Sequence, residues 1–322
     1  MKLLHVLHGI FKSPWNIIVV LGKTAFGKYI PDKLYVKCLY RHSTGKKLNL
    51  KNPKGFNEKI QWLKLNYHRP EYTRMVDKYE VKELVASIIG DEYIIPTIGV
   101  WNHFDEINFD ELPDKFVLKC THDSSGIVIV RDKSRMDINL TKNKLEKSLR
   151  NNFYYSGREW PYKNVKPRIL AEKYMEDTLV NTTNASSNNS IMQNNTNELV
   201  DYKFFCFNGS PRFLYVSRAN FDNKGNKNAL ISYYNLDWSK PEFYRPDHKA
   251  IDFDIVKPKR FEEMIEIAEK LSLGMPFVRV DLYCIDENPY FSELTFYPGS
   301  GFWSFKPDSW EEEIGSWIDL PQ

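Results

Sequence analysis

Arg279, Asp281 and Tyr283 alternate along one short apolar run, and Glu293 and Thr295 alternate along the next. Residues 278–301 read as two strands joined by a turn at Asp286-Glu287-Asn288-Pro289. Side chains two apart share a strand face, so a hairpin here brings an arginine and two carboxylates above one point. Facing carboxylates repel unless a cation lies between them. Hard oxygen donors of this kind suit Mg2+, which takes one or two carboxylates together with substrate phosphates. The run ends at Pro298-Gly299-Ser300-Gly301, whose small residues let a backbone approach a ligand closely. The competing reading is an ordinary buried hairpin with a surface arginine and solvated acids, and the rest of the chain decides between them.

Several elements have to position these groups. Residues 58–67 read as a helix behind an Asn57 cap, with Ile60, Leu63 and Tyr67 at helical spacing. Residues 75–89 read as a second helix, stopped by Gly90, that buries Val81, Leu84, Val85 and Ile88. Lys78 and Lys82 share its other face, as a solvated pair unless a phosphate lies beside them. Residues 116–120 read as a strand carrying Lys119, followed by the loop Thr121-His122-Asp123-Ser124-Ser125-Gly126 and a strand at 127–130. A small-residue loop between strands can aim backbone N–H groups at a phosphate, and a lysine at its edge adds a mobile charge. The alternative for Lys119 is an edge lysine that reaches out to water.

Further along, 141–151 reads as a helix capped by Thr141, and 168–175 as a strand ending in Glu172-Lys173-Tyr174-Met175. Residues 181–197 are polar, repetitive and uncharged, as in a disordered insertion that folding can do without. Strands at 199–207 and 212–218 flank Asn208-Gly209, a strong hairpin signal, with Asp201 and Lys203 on one face. Residues 258–273 read as an amphipathic helix and 310–318 as a terminal one.

A chain of 322 residues suits two or three subdomains rather than one core. Hydrophobic residues at 42% and charged residues at 27% are ordinary for a soluble globular protein, while 15% aromatics suits a β-rich core and ring-lined pockets. The 45 basic and 42 acidic residues leave a net charge of +3, too balanced to point to nucleic acid. Cys38, Cys120, Cys206 and Cys284 form no CxxC pair, which argues against a zinc site or redox dithiol and for a reduced, cytoplasmic setting. The apolar stretch 15–21, flanked by Lys12 and Lys23, is too short to span a bilayer and has no cleavage site of small residues. It reads either as a helix lying on a membrane surface, at its inner face, or as a terminal helix packed on the body.

In their order, the lysine helix, the lysine strand with its loop, the Glu-Lys-Tyr strand end and the Arg/Asp/Glu hairpin resemble the ATP-grasp superfamily. The resemblance is closest to its TupA-like branch, linked to polysaccharide and teichuronopeptide assembly, and covers roughly residues 56–301. It implies an α+β fold in which two α+β subdomains clasp a nucleotide, with an N-terminal helical extension. The implied parts are a basic, aromatic extension at 1–55, a helical part at 56–110, a nucleotide-clasping subdomain at 111–175, the insertion at 176–200 and a C-terminal subdomain at 201–322.

The resemblance also implies roles. Lys78 and Lys119 hold the α- and β-phosphates of ATP, and the loop 121–126, with Ser124, Ser125 and Gly126, forms a flexible lid. Glu172, Lys173, Tyr174 and Met175 form the hinge strand beside the adenine, with the side chain of Glu172 or Lys173 on the base and Asp177 toward the ribose. Lys203 belongs to the same nucleotide-binding set. Asp281 and Glu293 are implied ligands of Mg2+, together with Thr295, which stands where the family usually has Asn. Arg279 and Lys119 are the implied catalytic pair, and residues 298–301 the substrate-side turn. The implied reaction phosphorylates a carboxylate and lets an amine displace the phosphate, a chemistry of positioning and charge neutralisation. Its partners would be a uronic acid or similar carboxylate of a polysaccharide precursor and an amino compound. His122 reads as a plain loop histidine. A glycosyltransferase of polysaccharide biosynthesis is the alternative, since Asp252-Phe253-Asp254 has Asp-x-Asp spacing, although acids before a helix are also favoured by its dipole. A third reading is a non-catalytic polysaccharide-binding protein.

Overall fold

A computed structural model of the chain describes residues 15–22, 24–124, 126–178, 199–221, 227–251 and 255–321. The expected insertion at 181–197, Ser125 of the loop and Asp252-Phe253-Asp254 lie outside them.

The first helices are α1 (Trp15–Gly22) and α2 (Asp32–Thr44), which ends at Gly45 in the left-handed region. Next comes α3 (Phe56–Asn66), so the expected start at residue 58 moves back and Asn57 lies inside the helix. One first-turn N–H that lacks a partner within the helix is met from far along the chain: Glu311 accepts from the Asn57 N–H at 2.8 Å. The expected helix 75–89 is two helices, α4 (Glu71–Val76) and α5 (Glu80–Ile89). The break is at Asp77, whose backbone is extended and whose carboxylate accepts the N–H groups of Tyr79 at 2.8 Å and Glu80 at 3.2 Å. Lys78 therefore stands outside the helix and does not share a face with Lys82. Val81 and Val85 are buried as expected, but Ile88 is exposed.

Four strands, β1 (Thr97–Trp101), β2 (Phe116–Cys120), β3 (Ile127–Val130) and β4 (Ile169–Lys173), form an antiparallel sheet in the order β1-β4-β2-β3. One face buries Phe116, Leu118, Cys120, Ile169 and Ala171 against Leu145 of α6 (Ile138–Leu149). That helix begins at an Asp137 cap, not at Thr141, because Asp137 accepts the Leu140 N–H at 2.8 Å. A one-turn helix, α7 (Tyr154–Gly157), follows.

The second sheet is larger. Strands β5 (Asp201–Phe207), β6 (Ser210–Phe221), β7 (Lys227–Asn235), β8 (Phe277–Ile285) and β9 (Asn288–Thr295) run antiparallel in the order β7-β6-β5-β8-β9. Both predicted hairpins form, on two-residue turns with positive φ throughout: Asn208 at 50° and Gly209 at 83°, Asp286 at 48° and Glu287 at 65°. Such turns match the twist of the flanking strands. One face of this sheet packs on α8 (Phe261–Ser272), through Phe204, Val280 and Leu282 on the sheet and Met264 and Ile267 on the helix. The chain closes with α9 (Trp310–Ser316) against the start of α3.

Candidate active site

The face of the large sheet that does not meet α8 carries the polar residues of the hairpin. Registration pairs Asp281 with Glu293 and Arg279 with Thr295, and on the other side Asp281 with Lys203. A bulge after Asp281 adds one residue to β9 and re-phases the strand, so that Tyr283 lies opposite Tyr290. Arg279 sits over the acids as a fork: Nε donates to Asp281 Oδ1 and Nη2 to Asp281 Oδ2, both at 2.6 Å. The same Nη2 reaches Thr295 Oγ1 at 3.0 Å and Glu293 Oε1 at 3.2 Å, while Nη1 donates to the Tyr215 hydroxyl at 3.3 Å. Lys203 adds a second cation, 2.6 Å from Asp281 Oδ2 and 3.4 Å from Asp201.

The two acids differ in environment. Asp281 is fully enclosed at 0% exposure, whereas the Glu293 side chain is 37% exposed. Burial pushes the Asp281 carboxyl above its ordinary range, and Arg279 and Lys203 pull it back only in part. Burial also works against ionised Glu293, but Lys203, Lys78 and Arg279 outweigh it and hold its pKa at about 2.

The wall opposite is the small sheet. Val117, Lys119, Ile127, Ile129 and Glu172 share its outer face through the pairing of β2 with β3 and β4. Glu172 is buried and bridges two lysines at 2.5 Å each, Lys119 on the neighbouring strand and Lys82 on α5. Burial disfavours its charge, yet the two lysines hold its carboxyl below the ordinary range. Lys119 gains from the same contact: burial lowers it, Glu172 more than compensates, and the ammonium form is favoured. Each oxygen of Glu172 thus faces a lysine. Lys82, read from the sequence as half of a solvated pair, belongs to the site and was missed. Only its distance of four residues from Lys78 pointed to it.

The loop after β2 is anchored for half its length. Thr121, His122 and Asp123 are buried. The Thr121 N–H donates to Arg168 O at 2.9 Å, His122 Nε2 lies 3.0 Å from Asn151 O, and Asp123 takes the hydroxyl of Ser148 and the N–H of Gly126 at 3.0 Å. Lys78 donates to the Asp123 carbonyl. The lid expected at 121–126 is therefore fixed at its start, with Ser124 exposed at the tip. Gly126 is needed for packing, since a Cβ there would lie 2.5 Å from Ser148 Oγ and 2.7 Å from Cys120 Cβ.

Between the two walls lies a cleft of about 280 Å3. It is bounded by Lys78, Lys119, Glu172, Lys173, Tyr174 and Met175 on one side and by Asp201, Tyr283, Ser292 and Glu293 on the other, with Ile95, Val117 and Ile127 supplying apolar surface. A separate cavity of about 350 Å3, between α2, α3 and residues 302–312, touches none of these groups.

The turn after β9 adopts three successive left-handed residues, Gly299, Ser300 and Gly301, at φ of 56°, 55° and 72°. It is held from α3. Buried Lys64 donates to Ser300 O at 2.7 Å, Gly157 O at 3.0 Å and Ser300 Oγ at 3.2 Å, and Gln61 Nε2 donates to Ser300 O and Gly301 O at 2.8 Å each. A Cβ on Gly299 would lie 1.9 Å from Trp303 Nε1. Gly299 and Gly301 thus meet close internal packing on the side where a Cβ would stand.

The family follows from comparison with known proteins. A family model described as TupA-like ATPgrasp matches residues 58–319. The chain belongs to the TupA-like ATP-grasp family. A search of curated proteins finds no significant match. Among solved structures, D-alanine–D-alanine ligase from Bacillus anthracis is similar at 16% identity, covering 77% of this chain and 61% of its own, with a TM-score of 0.36. D-alanyl-alanine synthetase A from Vibrio cholerae aligns at 13% identity over 77% of this chain and 66% of its own, with a TM-score of 0.42. The ATP-grasp ligase PsnB, solved with a minimal precursor, aligns at 8% identity over 74% of this chain and 58% of its own, with a TM-score of 0.36. The chain thus spans about three fifths of the length of the first of these.

The TupA-like chain has a donor set that fits Mg2+: the carboxylates of Asp281 and Glu293 with the Thr295 hydroxyl, all hard oxygens. The guanidinium of Arg279 takes the place between the acids, which is the charge such a pair requires. Among the described residues no cluster of three or more His, Cys, Asp or Glu side chains is arranged as a complete metal cage. A Mg2+ here would therefore take phosphate oxygens as well.

Proposed function

We propose that this protein is an ATP-dependent carboxylate–amine ligase that works through an acyl phosphate and releases ADP. The observation that carries the reading is the pairing of chemistries across one cleft. Lys78 and Lys119 stand on one wall, Glu293 with Asp281 and Arg279 behind it on the other. Membership of the ATP-grasp family supports the same reading.

In this reading the base lies against Ile95, Val117 and Ile127, beside the strand end formed by Lys173, Tyr174 and Met175. The phosphates meet Lys78, Lys119 and the backbone of the loop at 124–126. Glu172 keeps Lys119 and Lys82 in place. Glu293, Asp281 and Thr295 would hold Mg2+, which supplies charge neutralisation for phosphoryl transfer. Lys203 acts from behind Asp281. Arg279, its fork closed on Asp281, lends positive charge beside the reacting carboxyl, where negative charge develops. We carry the substrates as a uronic acid or similar carboxylate of a surface polysaccharide precursor and an amino compound, on the strength of the family resemblance. No observation favours the glycosyltransferase alternative.

Titration calorimetry with Mg-ATP tests the cleft. Lys119→Ala should weaken binding at least about tenfold with the fold intact, since it removes one charge-assisted contact to phosphate. Equal affinity in wild type and variant would remove Lys119 from the site.

A further inference from the structure

The N-terminal segment carries a surface that the cleft does not explain. Helix α1, Trp15–Gly22, has no charged residue. One side of it packs inward: Val19 is buried with Tyr35, Cys38 and Leu39, and a Cβ on Gly22 would overlap the Tyr35 ring. The other side presents Ile17, Val20 and Leu21, at spacings of three and four, exposed at 41%, 40% and 42%. Phe26 and Tyr29 follow at 66% and 74% exposure. Of the sixteen exposed large apolar side chains among the described residues, seven fall within residues 15–34, so the patch is concentrated and not part of the ordinary scatter.

Charge is distributed just as unevenly. Residues 1–50 contain nine Lys and Arg and one acid, Asp32, a balance of +8. The whole chain is at +3, so the remaining residues sum to 3 − 8 = −5. Lys28, Lys33, Lys37 and Arg41 are all exposed. The one acid is itself neutralised, with Asp32 lying 3.1 Å from the Arg158 guanidinium. The start of α1 is tied to the last turn of α2, by Arg41 over the Trp15 ring at 5.3 Å and by Asn16 against His42 at 2.7 Å, which keeps the apolar and basic groups together.

We propose that this surface seats the protein on an anionic lipid bilayer. Aliphatic and aromatic side chains enter the boundary between headgroups and acyl chains, and the lysines meet lipid phosphates. A nucleic-acid site would use the charge but gain nothing from exposing Ile17, Val20 and Leu21. A protein interface would use the apolar side chains but needs no excess of eight positive charges. No helix among the described residues is long and apolar enough to cross a membrane, so the contact is with the surface.

Cosedimentation of the full chain with vesicles tests this. The protein should pellet with phosphatidylcholine vesicles containing phosphatidylglycerol, not with phosphatidylcholine alone, and should be released as salt rises from about 0.1 to about 0.5 M. Two variants address the two components. Ile17→Gln with Leu21→Gln, which leaves Val19 in place, and Lys28→Glu with Lys33→Glu and Lys37→Glu should each lower binding at least about tenfold while melting as wild type does. Wild type that stays in the supernatant with anionic vesicles overturns the proposal, as does binding that both variants retain. Binding of duplex DNA in place of vesicles would reassign the surface to nucleic acid. A dimer without lipid binding, lost in the first variant, would reassign it to a second copy of the chain.

Discussion

Asp281 and Glu293 carry the same formal charge on paired positions, and what surrounds them sets different consequences for losing it. Asp281 is enclosed and receives three charge-assisted hydrogen bonds, two from Arg279 and one from Lys203, all at 2.6 Å. Asp281→Asn leaves two buried cations short of a counter-charge, so the variant should lose about 3–5 kcal/mol of stability as well as turnover, measured by urea unfolding. Glu293 lies at the cleft surface and shares Arg279 with Asp281. Glu293→Gln should therefore lose less stability than Asp281→Asn and lose at least about a hundredfold in ADP release, because a proposed ligand to the cation is gone while the core pairing persists. Unchanged ADP release in the Glu293 variant would end its place in the metal site. Because the Glu293 pKa is held down at about 2, from an ordinary 4.5, its contribution to stability is present above pH 4.5 and is lost as pH falls through that window.

Elements were legible where their signal is local. Asn208-Gly209 and the alternation through Arg279, Asp281, Glu293 and Thr295 specify two hairpins, and both form, each with a register shift that the alternation does not mark. What failed was set by partners distant in sequence. The helix break at Asp77 depends on Arg168, 2.6 Å away, and the start of α3 depends on Glu311. Strand β1 escaped notice because it is short, contains Gly99 and joins β4 with a register shift. The hold of α3 on the 299–301 turn was equally invisible, since nothing in Gln61 or Lys64 marks a partner more than 230 residues on. Lys64→Met should cost about 2–4 kcal/mol by leaving the Gly157 carbonyl without its Lys64 donor and the Ser300 carbonyl to Gln61 alone, and thermal unfolding within experimental error of wild type would show that the turn stands by itself. Glu311 offers a pH test of the other contact. Burial raises its pKa from 4.5 to about 7, so the folded chain keeps a proton that the unfolded chain gives up across that range. Its contribution to stability should be greatest below pH 4.5 and fall toward pH 7, and Glu311→Gln, which can still accept from Asn57, should flatten that part of the slope in pH-dependent melting.

At the scale of the whole molecule, the sequence carried the α+β class and the order of the chemical groups, while the apposition of the two sheets had to come from structure. Lysines and acids more than 100 residues apart meet only because both sheets turn their polar faces to one cleft. That apposition makes a demand that a transferase does not share. In the proposed reading, a nucleotide bound to Lys119 on one wall would present its terminal phosphate toward Arg279 and Glu293 on the other, and a carboxylate docked there would be phosphorylated before any amine attacks. The enzyme should then release ADP and phosphate only when a carboxylate is supplied, and hydroxylamine should intercept the activated carboxyl as a hydroxamate. Arg279→Lys should cut hydroxamate formation at least about a hundredfold while changing ATP affinity much less, because a lysine cannot make the bidentate contact with Asp281 that fixes the charge beside the carboxyl centre. A nucleotide sugar consumed without ATP, with no hydroxamate from a broad panel of acidic acceptors, would decide for sugar transfer instead.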